Sequence, residues 1–189
     1  MSRLTPVSMV VLCASFAHAQ VLWDESVHGD LSGDRFAPTS LGALAPGAWS
    51  VAATSVSGDL EYYTFTIPAG ASLVELRLVA FSHPSTISFV AVQHGAVFTE
   101  PAVGTNPANL LGWTHFGNTQ LGTDILDNLG AGPGSQGFSP PLPSGDYVFW
   151  SQETGPSAVS YRFEFHVVPA SATTLALALA IVPCARRRR

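Results

Sequence analysis

SYRFEFHVV (residues 160–168) is the stretch that decides the fold, because apolar and polar side chains alternate along it. One face carries Tyr161, Phe163, Phe165 and Val167, and the other carries Arg162, Glu164 and His166. A period of two residues sends neighbouring side chains to opposite faces of an extended chain. The stretch therefore predicts a β-strand with one face in the core and one face in water.

Other segments between residues 20 and 168 show the same strand character. In SLVELRLVAF (72–81) an apolar face is opposed by Glu75 and Arg77. Short runs rich in β-branched and aromatic residues are also predicted strands, namely LEYYTFTI (60–67), TISFVAVQH (86–94), WSVAATSV (49–56), LLGWTHF (110–116) and DYVFWSQE (146–153). No long run between residues 20 and 168 has the 3.6-residue period of an amphipathic helix.

Turn-forming residues separate these runs, as in Ser57-Gly58-Asp59, Pro68-Ala69-Gly70 and Pro143-Ser144-Gly145. We therefore predict an all-β fold, an antiparallel β-sandwich of jelly-roll or Greek-key type with about seven to nine strands. The region 117–143 is predicted to be a long loop with one helical turn at 123–129.

Two strand–turn units carry a resemblance to a known domain. SGDLEYYTFTIPAG (57–70), followed later by LPSGDYVFWSQETG (142–155), is similar to the bacterial pre-peptidase C-terminal domain. In that family an acidic and an aromatic residue open a strand that ends in a Pro/Ala-Gly turn, and a later Gly-Asp-Tyr opens another. The resemblance implies a β-sandwich that serves a secreted protein as a binding or accessory module and not as a catalyst.

The N-terminus has the layout of a signal peptide. Arg3 precedes the apolar run 6–16, and Ala17-His18-Ala19 gives the small-x-small pattern that signal peptidase cleaves. We predict a signal peptide over 1–19, cleaved before Gln20. Cys13 follows a bulky leucine, which argues against a lipoprotein site.

The C-terminus has the layout of a sorting or anchor segment over 169–189. Residues 170–185 are uncharged, and as a helix they would extend about 24 Å, less than the ~30 Å hydrocarbon core of a bilayer. The terminal arginines would remain on the cytoplasmic side. A buried strand with a basic tip is the alternative. We predict a short hydrophobic helix that is the protein's only contact with a membrane.

This layout resembles the PEP-CTERM sorting signals of bacterial exported proteins. Its parts are Pro169, the apolar helix and the arginines Arg186, Arg187, Arg188 and Arg189. In that family a Pro-Glu-Pro triplet precedes the helix and an exosortase processes the protein; here Val168-Pro169-Ala170 stands in its place. The resemblance implies an exosortase-like partner, association with exopolysaccharide, and delivery to the cell envelope, the outer surface or the medium.

Charge and cysteine content limit the partners of residues 20–168. Residues 20–168 contain three arginines and all 13 acidic residues, which gives a formal net charge of −10. The chain contains no lysine. Such a surface repels nucleic acid and attracts cations. Both cysteines, Cys13 and Cys184, lie in the terminal segments, so the predicted domain has neither a disulfide nor thiol chemistry.

Carboxylates in DESVHGDLSGDR (24–35) are candidate Ca²⁺ ligands, because calcium accepts six to eight oxygen ligands in flexible geometry. The candidates are Asp24, Asp30 and Asp34, with Glu25 beside them. The loop is not an EF-hand, since Leu41 stands where that motif needs a bidentate glutamate. A solvated acidic turn whose aspartates cap backbone amides is the alternative.

Asp124 and Asp127 form a second candidate pair in GTDILDNLG (122–130), on one face if the segment is helical. Together with Asp59 and Glu61, this pair would form a second calcium site. The alternative for Asp124 is a helix N-cap.

Trp113 and His115 in GWTHFG (112–117) lie on one face of a predicted strand, where they would form a stacking platform for a sugar ring. A core tryptophan is the alternative. The sequence predicts no catalytic residue, because its histidines lack metal-binding spacing and it has no Gly-x-Ser-x-Gly motif.

Together these features predict an exported, non-catalytic surface or extracellular-matrix protein. A calcium-stabilised adhesion or carbohydrate-binding module is one alternative. A secreted hydrolase with its carboxylates in 117–143 is another.

Overall fold

The computed structural model describes residues 18–83 and 86–170. The described chain folds into strands joined by turns, two short helices, and 3₁₀ turns at Pro107–Asn109 and Asn118–Gln120. The strands and helices are β1 (Gln20–Asp24), α1 (Glu25–His28), β2 (Thr39–Ala43), β3 (Gly47–Ser55), β4 (Leu60–Ile67), β5 (Ala71–Phe81), β6 (Ile87–His94), β7 (Gly112–Gly117), α2 (Leu126–Gly130), β8 (Gly145–Glu153) and β9 (Val159–Pro169).

The strands form two packed sheets, which confirms the predicted all-β sandwich. The four-stranded sheet has the order β1-β3-β9-β5, and the five-stranded sheet has the order β2-β4-β8-β6-β7. Each of the seven predicted strands is present, and none of its ends differs from the prediction by more than two residues. Alternation of side chains, together with β-branched and aromatic content, was therefore a sufficient guide to these elements.

Two edge strands correct the prediction that the sandwich is antiparallel throughout. Neither β1 nor β2 was predicted, and each runs parallel to its neighbour: β1 to β3 and β2 to β4. Both have only five residues, and a register shift interrupts each ladder. A parallel pair cannot be closed by a tight hairpin turn, so no local sequence signal marks it.

β9 buries one face in the core, as its sequence predicts. It lies between β3 and β5, and its Phe163 and Phe165 side chains are fully buried. The ring of Phe165 contacts the facing sheet, with centroids 5.1 Å from Phe65 and 5.6 Å from Phe149. Burial of each such ring contributes roughly 1.5–3 kcal/mol, which matters in a domain without a disulfide.

The region 117–143 is more ordered than the predicted loop. Its helical turn is α2, and the residues before α2 bond along β5: Ile125 N–H donates to the Leu76 carbonyl at 2.8 Å, and Leu78 N–H donates to the Thr123 carbonyl at 3.2 Å. These bonds cover the outer edge of β5 in the four-stranded sheet, and Leu126 and Leu129 of the same segment are buried.

The predicted terminal segments fall almost entirely outside the described residues. Pro169 ends β9 opposite Ala71, whereas the predicted apolar helix beyond Ala170 and Arg186, Arg187, Arg188 and Arg189 lie outside the described part. Within residues 18–83 and 86–170, no helix has the length and apolar character needed to cross a membrane.

Candidate cation site at one end of the sandwich

The interior of the sandwich changes from apolar to polar at one end. Along β4 the inward face carries Ile67, Phe65 and Tyr63, and the next inward position is Glu61. On the neighbouring strand β8, Ser151 is paired with Glu61. Alternation thus sends a carboxyl group into the core, and Glu61 is 0% exposed.

Three carboxyl groups meet at this end. Glu25 in α1, Asp30 in the following loop and Glu61 in β4 each have a carboxylate oxygen within 4.8 Å of the others. We call these three residues the carboxylate cluster. Its members come from three separate elements, so the cluster joins the α1 loop to the five-stranded sheet.

α1 positions Glu25 because both of its ends are closed. The Asp24 side chain caps the helix by accepting from Ser26 N–H at 3.1 Å, and Gly29 N–H donates to the Glu25 carbonyl at 3.0 Å. The Glu25 side chain accepts from Leu31 N–H at 3.2 Å and from Thr54 N–H at 2.6 Å. Glu25 therefore ties its own loop to β3 while facing the cluster.

Glu61 differs from another buried glutamate nearby. Glu153, 2% exposed, accepts from the Ser88 hydroxyl at 2.6 Å and from Gly155 N–H at 2.6 Å. Neither carboxyl oxygen of Glu61 has a hydrogen-bond donor within the described part of the chain. A buried carboxylate without donors is costly, so Glu61 requires a proton or a cation.

Burial and nearby charges also favour a protonated or cation-bound Glu61. Burial, and then the charges of Glu25, Asp59 and Asp30, raise the pKa of Glu61 to about 10. Burial also raises the pKa of Glu25 and of Asp59. Without a cation, Glu61 therefore holds its proton at neutral pH, because the surrounding carboxylates oppose its ionisation.

Further polar groups surround Glu61. The hydroxyl groups of Tyr63, Ser151 and Tyr161 are buried near Glu61, and Ser151 interacts with both tyrosines. Burial, and then the neighbouring Tyr63 and Glu61, raise the pKa of Tyr161. Glu25 and Tyr161 also line a cavity of about 380 Å³, which includes neither Asp30 nor Glu61.

The donor set fits calcium. Three carboxylates supply up to six oxygens, and Ca²⁺ takes six to eight oxygen ligands in flexible geometry. The cluster contains no cysteine or histidine, the ligands typical of zinc. The three residues can therefore hold Ca²⁺, and the cation would supply positive charge to Glu61.

The structure places one of the three predicted loop aspartates in the cluster. That residue is Asp30. Asp24 caps α1 and forms an ion pair with the Arg162 Nη2 atom at 3.4 Å, and Asp34 accepts from Phe36 N–H at 2.9 Å. These two aspartates make the local contacts that the capping alternative describes.

The second predicted pair lies beside β5. Asp124 accepts from Leu76 N–H at 3.0 Å and from Leu126 N–H at 2.9 Å, so it holds the start of α2 against the sheet edge. Asp127 is exposed in α2. Neither belongs to the group of carboxylates around Glu61.

The sequence did carry a signal for Glu61. In LEYYTFTI (60–67), Glu61 shares a strand face with Tyr63, Phe65 and Ile67, so a carboxylate interrupts an apolar face. The partner Glu25 lies in another element, and only the fold brings the two together.

The second candidate site is aromatic. Trp113 and His115 share a face of β7, with ring centroids 5.7 Å apart. Trp113 is half-buried, whereas His115 is exposed and its Nδ1 atom lies 3.3 Å from the Ser88 carbonyl. This face also carries a cavity of about 240 Å³ that Trp113 lines.

Comparisons with known proteins give weak similarities. No protein-family model and no curated protein matches the chain. Among solved structures, the chain is similar to the pre-peptidase C-terminal domain of a collagenase from Bacillus anthracis, with 12% identity, a TM-score of 0.33, and coverage of 68% of this chain and 92% of that one.

PliG from Aeromonas hydrophila, a periplasmic inhibitor of g-type lysozyme, is similar with 13% identity and a TM-score of 0.35. That similarity covers 68% of this chain and 96% of the other. At these values neither similarity assigns a ligand, a partner or an activity to this chain.

Proposed function

We propose that this chain is an exported, non-catalytic β-sandwich module whose folded state is completed by Ca²⁺ bound to Glu25, Asp30 and Glu61. One observation carries the proposal: Glu61 is fully buried, has no hydrogen-bond donor and faces two further carboxylates. A divalent cation replaces the proton that Glu61 otherwise keeps.

The cation would act as a structural clamp. Glu25 and Asp30 belong to the α1 region, whereas Glu61 belongs to β4 of the other sheet. A shared ion therefore fastens the N-terminal edge of one sheet to the facing sheet. Ligands that bind only the folded state stabilise it by mass action, and sites in extracellular modules work at about 10⁻⁴–10⁻³ M calcium.

Export is supported by the sequence features of both termini. The predicted signal peptide over 1–19 and the PEP-CTERM-like segment over 169–189, with its exosortase-like processing enzyme, favour delivery to the cell envelope, outer surface or medium. Residues 20–168 contain no cysteine, so no disulfide within them can stabilise the domain outside the cell. Bound calcium would supply stabilisation instead.

The geometry favours a structural role over catalysis. A carboxyl group with a strongly raised pKa is a candidate general acid, but only if a substrate can reach it. Glu61 has no exposed surface. The alternative hydrolase residue Asp124 has its carboxylate engaged by two backbone amides at the edge of β5.

Calorimetric titration of the purified protein with Ca²⁺, together with thermal melts in Ca²⁺ and in EDTA, tests the proposal. We expect binding heat, a melting temperature that falls in EDTA, and loss of both effects in Glu61→Gln. The matched control is Glu164→Gln, which changes a half-buried outward carboxylate of β9 and should keep the response. A wild-type protein with no binding heat and the same melting temperature in EDTA would contradict the proposal.

A further inference from the structure

A second cavity lies on the outer face of the five-stranded sheet, opposite to the face that carries Glu61. Its volume is about 240 Å³, and no lining side chain is charged. It is lined from β6, β7 and β8 by Phe89, Trp113, Trp150 and Gln152, and from the loop between β6 and β7 by Ala102 and Thr105. An uncharged lining suits a neutral ligand, because a buried ion would lack a counter-charge.

The aromatic rings converge because of the strand register. Ala91 of β6 lies between Trp150 of β8 and Trp113 of β7. Phe89, on the same face of β6, has its ring centroid 4.8 Å from that of Trp150 and 5.9 Å from that of Trp113. Phe89 therefore lies beside both indoles, and the three rings line the cavity together.

The half-buried Trp113 is held rigidly in this arrangement. Its indole N–H donates to the Pro133 carbonyl at 3.0 Å. Gly132 packs directly against it, since a Cβ at Gly132 would lie 2.4 Å from the Trp113 carbonyl oxygen and 2.8 Å from its Cδ1. A ring fixed in this way loses little conformational entropy when a ligand stacks on it.

The uncharged polar side chains in the lining are those of Thr105 and Gln152. Trp150 is 2% exposed, and its indole N–H has no acceptor within the described residues. That N–H has no accessible surface, so a ligand in the cavity can pack on the Trp150 ring but cannot reach this donor. The half-exposed Gln152 amide offers a ligand both a donor and an acceptor.

We propose that this cavity binds one neutral hexopyranose ring of a polysaccharide. The apolar C–H face of the sugar would pack on Trp113 and Phe89, and a sugar hydroxyl would bond the Gln152 amide. The volume is below the 300–1,000 Å³ of sites for drug-sized ligands, which suits a single ring. The inference goes beyond the calcium proposal, since the two sites occupy opposite faces of the sheet.

Calorimetric titration with cellohexaose, laminarihexaose and mannohexaose, with Ca²⁺ present throughout, tests the inference. We expect millimolar or tighter binding to at least one of these neutral oligosaccharides. Trp113→Ala, which removes the platform, and Ala102→Phe, which fills the cavity from the loop, should each weaken it at least tenfold. Trp49→Ala is the matched control, because Trp49 is also half-buried and its indole N–H also donates to a carbonyl, that of Ala45 at 2.8 Å.

Thermal melts of each variant separate loss of binding from loss of fold. If Trp113→Ala unfolds, Ala102→Phe decides the question, since it leaves the strands unchanged. Absence of wild-type binding to all three oligosaccharides at millimolar concentration overturns the inference. Binding that is equally tight in a folded Trp113→Ala or Ala102→Phe also overturns it, as does a loss of similar size in Trp49→Ala.

Discussion

A buried carboxyl group with no donor is stable only when it is protonated or bound to a cation, and Glu61 is such a group in this fold. Its pKa is about 10 in the folded protein, against 4.5 for an ordinary glutamate. Between these values the unfolded chain releases a proton that the folded chain keeps, so rising pH favours unfolding. Stability in EDTA should therefore decline from about pH 4.5 upward.

Glu61→Gln should remove much of this pH dependence, because glutamine has no proton to lose. In EDTA at pH 8 we expect the variant to melt at a higher temperature than the wild type, and near pH 4 we expect similar melting temperatures. Part of the slope should persist, since the pKa values of Glu25 and Asp59 are raised as well. Melting curves followed by circular dichroism from pH 4 to pH 9 measure the effect.

The control for this experiment is Glu164→Gln on the outward face of β9. Its melting temperatures should follow the wild-type pH profile. A wild-type protein that becomes more stable from pH 5 to pH 8 in EDTA would show that Glu61 is ionised without a cation.

At the scale of elements, α1 links its N-cap residue, Asp24, to Glu25 of the carboxylate cluster. Asp24 holds the first turn through Ser26, and this turn presents Glu25. Asparagine is also a good N-cap, whereas alanine costs about 1 kcal/mol. We expect Asp24→Asn to keep wild-type calcium affinity and Asp24→Ala to lower it severalfold, as measured by calorimetric titration.

The same pair of variants tests the prediction that Asp24 is itself a calcium ligand. If Asp24→Asn weakens binding as much as Asp24→Ala, the charge of Asp24 contributes directly and its capping role is secondary. Loss of the ion pair with Arg162 is common to both variants, so their difference isolates the cap.

The elements also show which features are readable from sequence. β9 and β5 were predicted because alternation is a local property of the chain. β1 and β2 were missed because each depends on a parallel neighbour reached through a long connection. The cluster was only partly predicted, since Asp30 and Glu25 lie in one acidic loop, whereas Glu61 reaches them only through the packing of the two sheets.

In the whole molecule, two sheets are held together by an aromatic core without a disulfide in the described chain. That core is apolar around Phe163 and Phe165 but polar around Glu61 and Ser151. Local stability should therefore differ between the two ends of the sandwich. Hydrophobic burial stabilises the apolar end most, whereas the polar end contains buried groups without hydrogen-bond partners in the described chain. The N-terminal edge, formed by β1 and α1, lies at the weaker end.

Removal of calcium should therefore loosen one end of the molecule first. In EDTA at neutral pH we expect backbone amides of residues 20–31 to exchange hydrogen at least tenfold faster than in Ca²⁺, while the amides of β9 keep their protection. Hydrogen exchange followed by mass spectrometry measures both segments in one experiment. Glu61→Gln should show no difference between Ca²⁺ and EDTA, and Glu164→Gln should behave as the wild type. Equal acceleration across β1 and β9 would show that the ion supports the whole fold, whereas no acceleration would show that the N-terminal edge is held without it.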